Sequence, residues 1–166
     1  MKGRNISAIL ACDDNFGISK DGKIPWYISE DLQFYKSQTL GAFVAVGRRT
    51  FESLPNEAKK DRDYIVLTHS ADSVKEIEGF PTAKDIYEVF RICDLRNKKK
   101  EQSLYVAGGA QTYHAFEGYI NTYFITHVRG IYDCDVRVNL EKILKYSNCR
   151  YTLRVEKDFD IQMVIM

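Results

Sequence analysis

The segment Gly17-Ile18-Ser19-Lys20-Asp21-Gly22-Lys23-Ile24-Pro25-Trp26 runs a glycine-bounded polar loop into a large aromatic, and Asp31 follows five residues later. A mobile loop, an indole and a lone carboxylate in this order suit an enclosed site where one proton must be delivered. Asp31 stands in what reads as the first turn of a helix, where an acid ordinarily complements the helix dipole. Its helical phase with Leu32 and Tyr35 turns it inward, next to Trp26. A buried lone carboxylate needs a partner or a ligand. A nitrogen-rich heterocycle offers paired donors to such a group.

Two strand-to-helix junctions carry glycine: Val46-Gly47-Arg48-Arg49-Thr50 and Ala107-Gly108-Gly109-Ala110. A helix start presents free N–H groups and partial positive charge, and glycine lets the backbone approach a phosphate. Either junction alone reads as a tight turn. Together, with Arg48 and Arg49 available for a further phosphate, they point to a dinucleotide. Neither matches G-x-G-x-x-G, so an ordinary Rossmann reading is weak. Arg62, in the polar stretch Asn56–Asp63, reads by itself as a solvated surface arginine; the alternative is a carboxylate clamp at a cleft mouth. Tyr113 and Thr126 fit plain core positions. Neither a nucleophile elbow nor a P-loop is present.

These residues need elements to position them. Ile6–Cys12 reads as a short buried strand, although Ile6-Ser7-Ala8-Ile9-Leu10-Ala11-Cys12 also resembles the end of a lipoprotein signal. Ser29 is the expected N-cap of a helix with Leu32, Tyr35 and Leu40 inward and Gly41 as its stop. Ala42–Val46 is a continuous apolar run, as in a strand covered on both faces. A short helix to Leu54, a strand Tyr64–Leu67, a helix from about Lys84 to Asp94 and a strand Ser103–Ala107 follow. Then come a helix carrying Tyr113 and Phe116, a strand Asn121–Val128, and a C-terminal antiparallel hairpin, Tyr151–Val155 with Ile161–Met166. Asn97-Lys98-Lys99-Lys100 reads as a solvated connection. The order implies one α/β domain over residues 1–166, its sheet mainly parallel with an antiparallel edge.

Composition supports one soluble domain: 166 residues, 45% hydrophobic and 28% charged. A net charge of +1 gives no case for bulk attraction to nucleic acid or membranes. Cys12, Cys93, Cys134 and Cys149 lack C-x-x-C spacing, and His69, His114 and His127 lack ligand spacing, so no metal is expected. Scattered thiols fit a reducing, cytoplasmic setting.

From Ile6 to about Asp135 the motifs occur in the order and near the spacing of the dihydrofolate reductase family, which the sequence resembles. They are Ile9-Leu10-Ala11, Gly17-Ile18…Gly22-Lys23-Ile24-Pro25-Trp26, Asp31-Leu32…Tyr35, Val46-Gly47-Arg48-Arg49-Thr50-Phe51-Glu52-Ser53, Arg62, Gly108-Gly109…Tyr113 and Thr126-His127. The resemblance implies an eight-stranded sheet with about four helices. It implies NADPH-dependent reduction of 7,8-dihydrofolate to tetrahydrofolate by a monomer, supporting one-carbon metabolism and thymidylate synthesis. By position, Asp31 binds the pterin with Thr126 in support, and the Ile9 carbonyl faces the same ring. Leu32, Tyr35 and Leu54 flank the ligand, and Arg62 holds its glutamate α-carboxylate. Gly47, Arg48, Arg49, Thr50, Gly108 and Gly109 hold the cofactor phosphates, with Thr68 and His69 near the 2′-phosphate. Ala11, Ile18 and Tyr113 border the nicotinamide, and Trp26 stands beside the proton route. Residues Asn56–Asp61 lack the family's usual Pro-Leu before the arginine. Two alternatives stand beside this reading. One is a pterin- or flavin-precursor reductase of the same fold, which has no need of Arg62. The other is a non-catalytic protein that kept the fold.

Overall fold

A computed structural model describes residues 5–72, 74–97 and 102–166. The expected charged connection Asn97–Lys100 falls mostly outside them.

Strands β1 (Ile6–Cys12), β3 (Phe43–Gly47), β4 (Asp63–Leu67), β7 (Leu104–Val106) and β8 (Thr122–Val128) form where the apolar runs predict them. They join β6 (Phe80–Ala83) in a block of six parallel strands, ordered β8-β1-β7-β3-β4-β6. An antiparallel hairpin of β10 (Cys149–Val155) and β11 (Phe159–Ile165) extends the β8 side. The two-residue β5 (Glu76–Ile77) pairs antiparallel with β6 and brings the sheet to nine strands, one more than the eight expected. A separate ladder joins β2 (Gly17–Ser19) to β9 (Val136–Arg137). The helices are α1 (Ser29–Gln38), α2 (Arg48–Ser53), α3 (Asn56–Lys59), α4 (Ile86–Arg96), α5 (Ala110–Phe116) and α6 (Glu141–Tyr146). The short α3 and α6 account for the excess over the four expected.

Side-chain alternation sends successive residues to opposite faces of a covered sheet. Ala8, Leu10 and Cys12 of β1 enter one core, with Val89, Phe90 and Cys93 of α4 and Phe116 of α5. Ile9 enters the other, with Val44, Val46, Phe51, Tyr64, Tyr105 and Phe124, against Phe34 and Tyr35 of α1. That second face carries the site.

Three helix expectations are corrected. Ser29 lies inside α1; the N-cap is Ile28, which makes no side-chain cap bond, and Ser29 Oγ donates to Glu30 instead. Leu32 and Leu40 are exposed, and it is Phe34 and Tyr35 that pack inward. Helix α4 begins two residues later than expected because Asp85 caps it, accepting from the Glu88 N–H at 2.8 Å.

Candidate active site

Asp31 lies in the first turn of α1, half-buried over the sheet. Thr126 is two residues after Phe124 on β8 and so shares its face. Thr126 Oγ1 donates to Asp31 Oδ1 at 2.5 Å. Burial raises the Asp31 pKa above the ordinary carboxylate range, and the Thr126 hydroxyl only partly counters it. The carboxylate therefore sits in a weakly polar wall with one protein donor among the described residues.

Ile9, in register with Phe124 of β8 on the adjoining strand, is buried, and its carbonyl accepts from Tyr113 Oη at 2.8 Å. Burial raises the Tyr113 phenol above its usual range, and the nearby Asp31 carboxylate adds to this, so it stays a neutral donor. The Tyr113 ring also packs on Gly108, where a Cβ would come within 3.2 Å of Oη.

Trp26 is half-buried and stands edge-on to Tyr132, ring centroids 5.2 Å apart. Its Nε1 is buried with no protein acceptor among the described residues. The loop before it is anchored by Asp13, a residue the sequence reading passed over. Asp13 Oδ1 accepts from the Asn15 and Gly17 N–H groups at 2.9 and 2.8 Å, and Oδ2 from Tyr132 N–H at 3.1 Å. Burial works against ionisation here, but those backbone donors and the Cys134 thiol hold the carboxyl below its usual range. No local spacing reveals this anchor, because Tyr132 and Cys134 reach it from the far side of the chain.

Arg62 is not a solvated surface residue: it is 9% exposed. Its Nε donates to Thr39 Oγ1 at 2.6 Å, Nη2 to the Lys36 carbonyl at 2.7 Å, and Nη1 to the Lys60 and Ala58 carbonyls at 2.5 and 3.4 Å. The guanidinium also lies over the Tyr35 ring, 5.6 Å from its centroid. These bonds use four of the five N–H donors and leave one on Nη2. The atypical Asn56–Asp61 segment thus has a local role. It folds as α3 and turns two carbonyls onto the guanidinium, while Ala58 also accepts from Tyr64 Oη at 2.9 Å. Tyr64 and Tyr35 share a 2.7 Å hydrogen bond. Leu54, just past α2, packs half-buried on the same core, whereas Leu32 stands exposed.

The two glycine junctions meet. Strands β3 and β7 are parallel neighbours, so their C-terminal ends lie side by side. The Gly47 N–H donates to the Gly108 carbonyl at 2.7 Å. A Cβ at Gly109 would come within 3.3 Å of Thr50 Oγ1, and one at Gly47 within 3.1 Å of Thr112 Oγ1, so side chains would crowd this cradle. Neither helix start, at Gly47 or at Gly109, has a side-chain cap. Arg48 and Arg49 are exposed at its edge, with Arg48 Nε donating to Glu52 at 2.7 Å. Thr68 and His69 lie just past β4, half-buried and exposed respectively. Uncapped N–H groups, bare glycine backbone and two arginines fit a phosphorylated dinucleotide. Ala11 and Ile18 are half-buried. Ile18 packs against the core on the face opposite Ile9, away from Asp31.

The sequence matches the dihydrofolate reductase family over residues 5–162. The chain belongs to that family. A type 8 dihydrofolate reductase of Escherichia coli is 33% identical over 145 residues, 84% of this chain and 83% of the relative. The Bacillus subtilis dihydrofolate reductase is 32% identical over 130 residues, 78% and 73% of the two chains. The fold is that of an Enterococcus faecalis dihydrofolate reductase solved with NADP(H) and RAB-propyl, with a TM-score of 0.77, 22% identity, and 97% and 95% of the two chains covered. This family member is an NADPH-dependent oxidoreductase that reduces 7,8-dihydrofolate to tetrahydrofolate. No helix among the described residues is long and apolar enough to cross a membrane.

Proposed function

We propose that Asp31 is the residue that binds and polarises the pterin of dihydrofolate, with Thr126 fixing its carboxylate. The observation that carries this is a half-buried acid whose one protein donor among the described residues is Thr126, leaving acceptor capacity for paired N–H donors of a heterocycle. NADPH, when bound, supplies the hydride for pterin C6. Gly47, Arg48, Arg49, Thr50, Gly108 and Gly109 would hold its phosphates, with Thr68 and His69 beside the adenosine 2′-phosphate, and Ala11, Ile18 and Tyr113 at the nicotinamide.

Asp31 does not deliver the N5 proton directly. It raises the ring's basicity, and Trp26 Nε1, a buried donor without a protein acceptor among the described residues, holds the water that carries the proton. Ile9 presents its carbonyl to the pterin, Tyr35 and Leu54 line the ring, and Leu32 covers it from the cleft edge. Arg62 takes the glutamate α-carboxylate with its remaining N–H. Residues Gly17–Ile24 close over the site as a lid, excluding water.

The chain acts as one domain and as a monomer. Its long free edge, β10, carries a bulge between Thr152 and Arg154, which discourages edge-to-edge pairing. Cys12, Cys93 and Cys134 are buried, away from any C-x-x-C pattern, which suits the cytoplasm.

The test is NADPH oxidation, followed by its absorbance, on adding dihydrofolate to purified protein. Turnover is expected. Its absence from a folded chain would overturn the reading. Equal turnover of a reduced pterin lacking a glutamate tail would favour the precursor-reductase alternative.

A further inference from the structure

We infer that Tyr64 is a positioning residue for the substrate's glutamate tail, acting through Tyr35 and Ala58 on the Arg62 guanidinium. Tyr64 is fully buried, so it reaches the substrate only through its neighbours. The inference rests on reading Arg62 as the carboxylate clamp, but not on the role of Asp31.

Arg62 immediately precedes β4 and Tyr64 is the second residue of that strand, so both side chains leave the same face of the sheet. The Tyr64 ring stands edge-on to Phe51 and Phe80, with centroids 5.5 and 5.6 Å away. Those two rings fix where its hydroxyl points. Tyr64 Oη donates to the Ala58 carbonyl at 2.9 Å. A phenol has one proton to give, so in the 2.7 Å bond between the two hydroxyls Tyr35 donates and Tyr64 accepts. Burial raises both phenols above their usual range, and both keep their protons. The order of donation is therefore Tyr35 to Tyr64 to Ala58.

The relay closes on Arg62. The guanidinium lies over the Tyr35 ring, and its Nη1 donates to the same Ala58 carbonyl at 3.4 Å. Tyr35 reaches the guanidinium through its main chain as well. Its carbonyl accepts from Thr39 Oγ1 at 2.7 Å, and that oxygen accepts from Arg62 Nε at 2.6 Å. The Tyr35 ring is thus the floor under the clamp, and the Tyr64 hydroxyl sets its tilt. Without that hydroxyl, the Tyr35 O–H loses its one acceptor among the described residues, and Ala58 loses the shorter of its two side-chain donors. Ring and carbonyl are then both free to move against the guanidinium.

The experiment is steady-state kinetics of the full chain with NADPH and two substrates, beside thermal unfolding. The substrates are dihydrofolate and a reduced pterin without a glutamate tail, the latter read as KM or as Ki against dihydrofolate. Tyr64→Phe keeps the ring among Phe51 and Phe80 and removes only the hydroxyl. Its KM for dihydrofolate should rise about three- to ten-fold, the scale of one neutral hydrogen bond, with kcat and the tail-less constant nearly unchanged. Tm should fall more in Tyr64→Phe, which strands the Tyr35 proton, than in Tyr35→Phe, which leaves Tyr64 donating to Ala58. Tyr35→Phe/Tyr64→Phe strands neither proton and should recover part of the Tyr64→Phe loss. If Tyr64→Phe does not fold, the double variant carries the same kinetic expectation. An unchanged KM for dihydrofolate, or equal rises on both substrates, would overturn the proposal, as would a Tyr35→Phe loss as large as that of Tyr64→Phe. Arg62→Lys separates the two readings. A tail-selective loss there without one in Tyr64→Phe counts against Tyr64 alone, whereas an equal loss on both substrates there removes the clamp and this proposal with it.

Discussion

Thr126 and Asp31 are joined by a 2.5 Å hydrogen bond that ties β8 to α1 across one face of the sheet. It is the only protein hydrogen bond to this carboxylate among the described residues, and it runs between a strand paired on both sides and the first turn of a helix with no fully buried residue. The bond fixes the acid's direction and leaves much of its acceptor capacity free.

Replacing that acid separates chemistry from stability. Asp31→Asn keeps an oxygen that accepts from Thr126 but cannot ionise. Dihydrofolate turnover at neutral pH should fall by about 100-fold or more, the scale of lost acid–base assistance. NADPH affinity, measured by fluorescence titration, should be nearly unchanged. The folded pKa of Asp31 is raised, so the native state binds the extra proton between the unfolded and folded values. Stability therefore falls as pH rises through that window, and the whole penalty is present above it. Asp31→Asn removes the penalty, so its Tm at neutral pH should equal or exceed that of the parent, while at strongly acid pH the gain should vanish. A variant with normal turnover would remove Asp31 from the mechanism.

Arg62 should tolerate no other cation. A lysine cannot reach Thr39 Oγ1 and the Lys36, Lys60 and Ala58 carbonyls together, because it lacks the planar fork. Arg62→Lys should raise KM for dihydrofolate by about 10- to 100-fold, the range for losing a charge-assisted bond. A reduced pterin without a glutamate tail should show little change. Thermal unfolding should show a loss of about 1–3 kcal/mol from the acceptors left short of donors. Equal effects on both substrates would assign Arg62 to structure only.

The parallel strands were legible because both their faces are buried, which writes them as unbroken apolar runs such as Phe43–Val46. The segment Glu76–Ala83 was not, since strands of two and four residues with Pro81 between their ends carry no periodic signal. In the site, Trp26, Asp31 and the glycine junctions stand out by type and spacing. The Asp31–Thr126 bond spans 95 residues and came into view only through the family likeness. The cage around Arg62 was hidden for a related reason. Three of its acceptors are main-chain carbonyls, which every residue has, so their number and direction appear only once α1 and α3 are folded.

At the cofactor cradle, Arg48 is engaged with Glu52 one helical turn away, 2.7 Å from Nε, and its guanidinium is otherwise exposed. A fork paired through one edge can still offer another to a phosphate. Arg48→Ala should weaken NADPH by about 10- to 100-fold and NADH by much less, measured as Kd by fluorescence titration. Equal losses would place Arg48 away from the 2′-phosphate. Glu52→Gln should leave the preference for NADPH intact, because the pair is exposed and worth little.

The hinge of the lid offers the sharpest steric test. Gly17 N–H donates to Asp13 Oδ1 at 2.8 Å and the Gly17 carbonyl accepts from Asp13 N–H at 2.9 Å, so its backbone is held from both sides. A Cβ there would lie 2.4 Å from Cys134 Cβ, 2.7 Å from its Sγ and 2.9 Å from Asp13 Oδ1. The nearest atom is a Cβ, fixed to the main chain, so rotation of Cys134 cannot relieve the overlap. Gly17→Ala should destabilise the fold by about 1–3 kcal/mol, as overpacking does, and raise Trp26 quenching as the lid's foot lifts. Cys134→Gly in the same chain should recover part of that loss, whereas Cys134→Ala, which keeps the offending Cβ, should recover little. A double-mutant cycle on thermal unfolding measures the coupling directly. Equal rescue by glycine and alanine would show that the sulfur, not the β-carbon, sets how closely the lid seats.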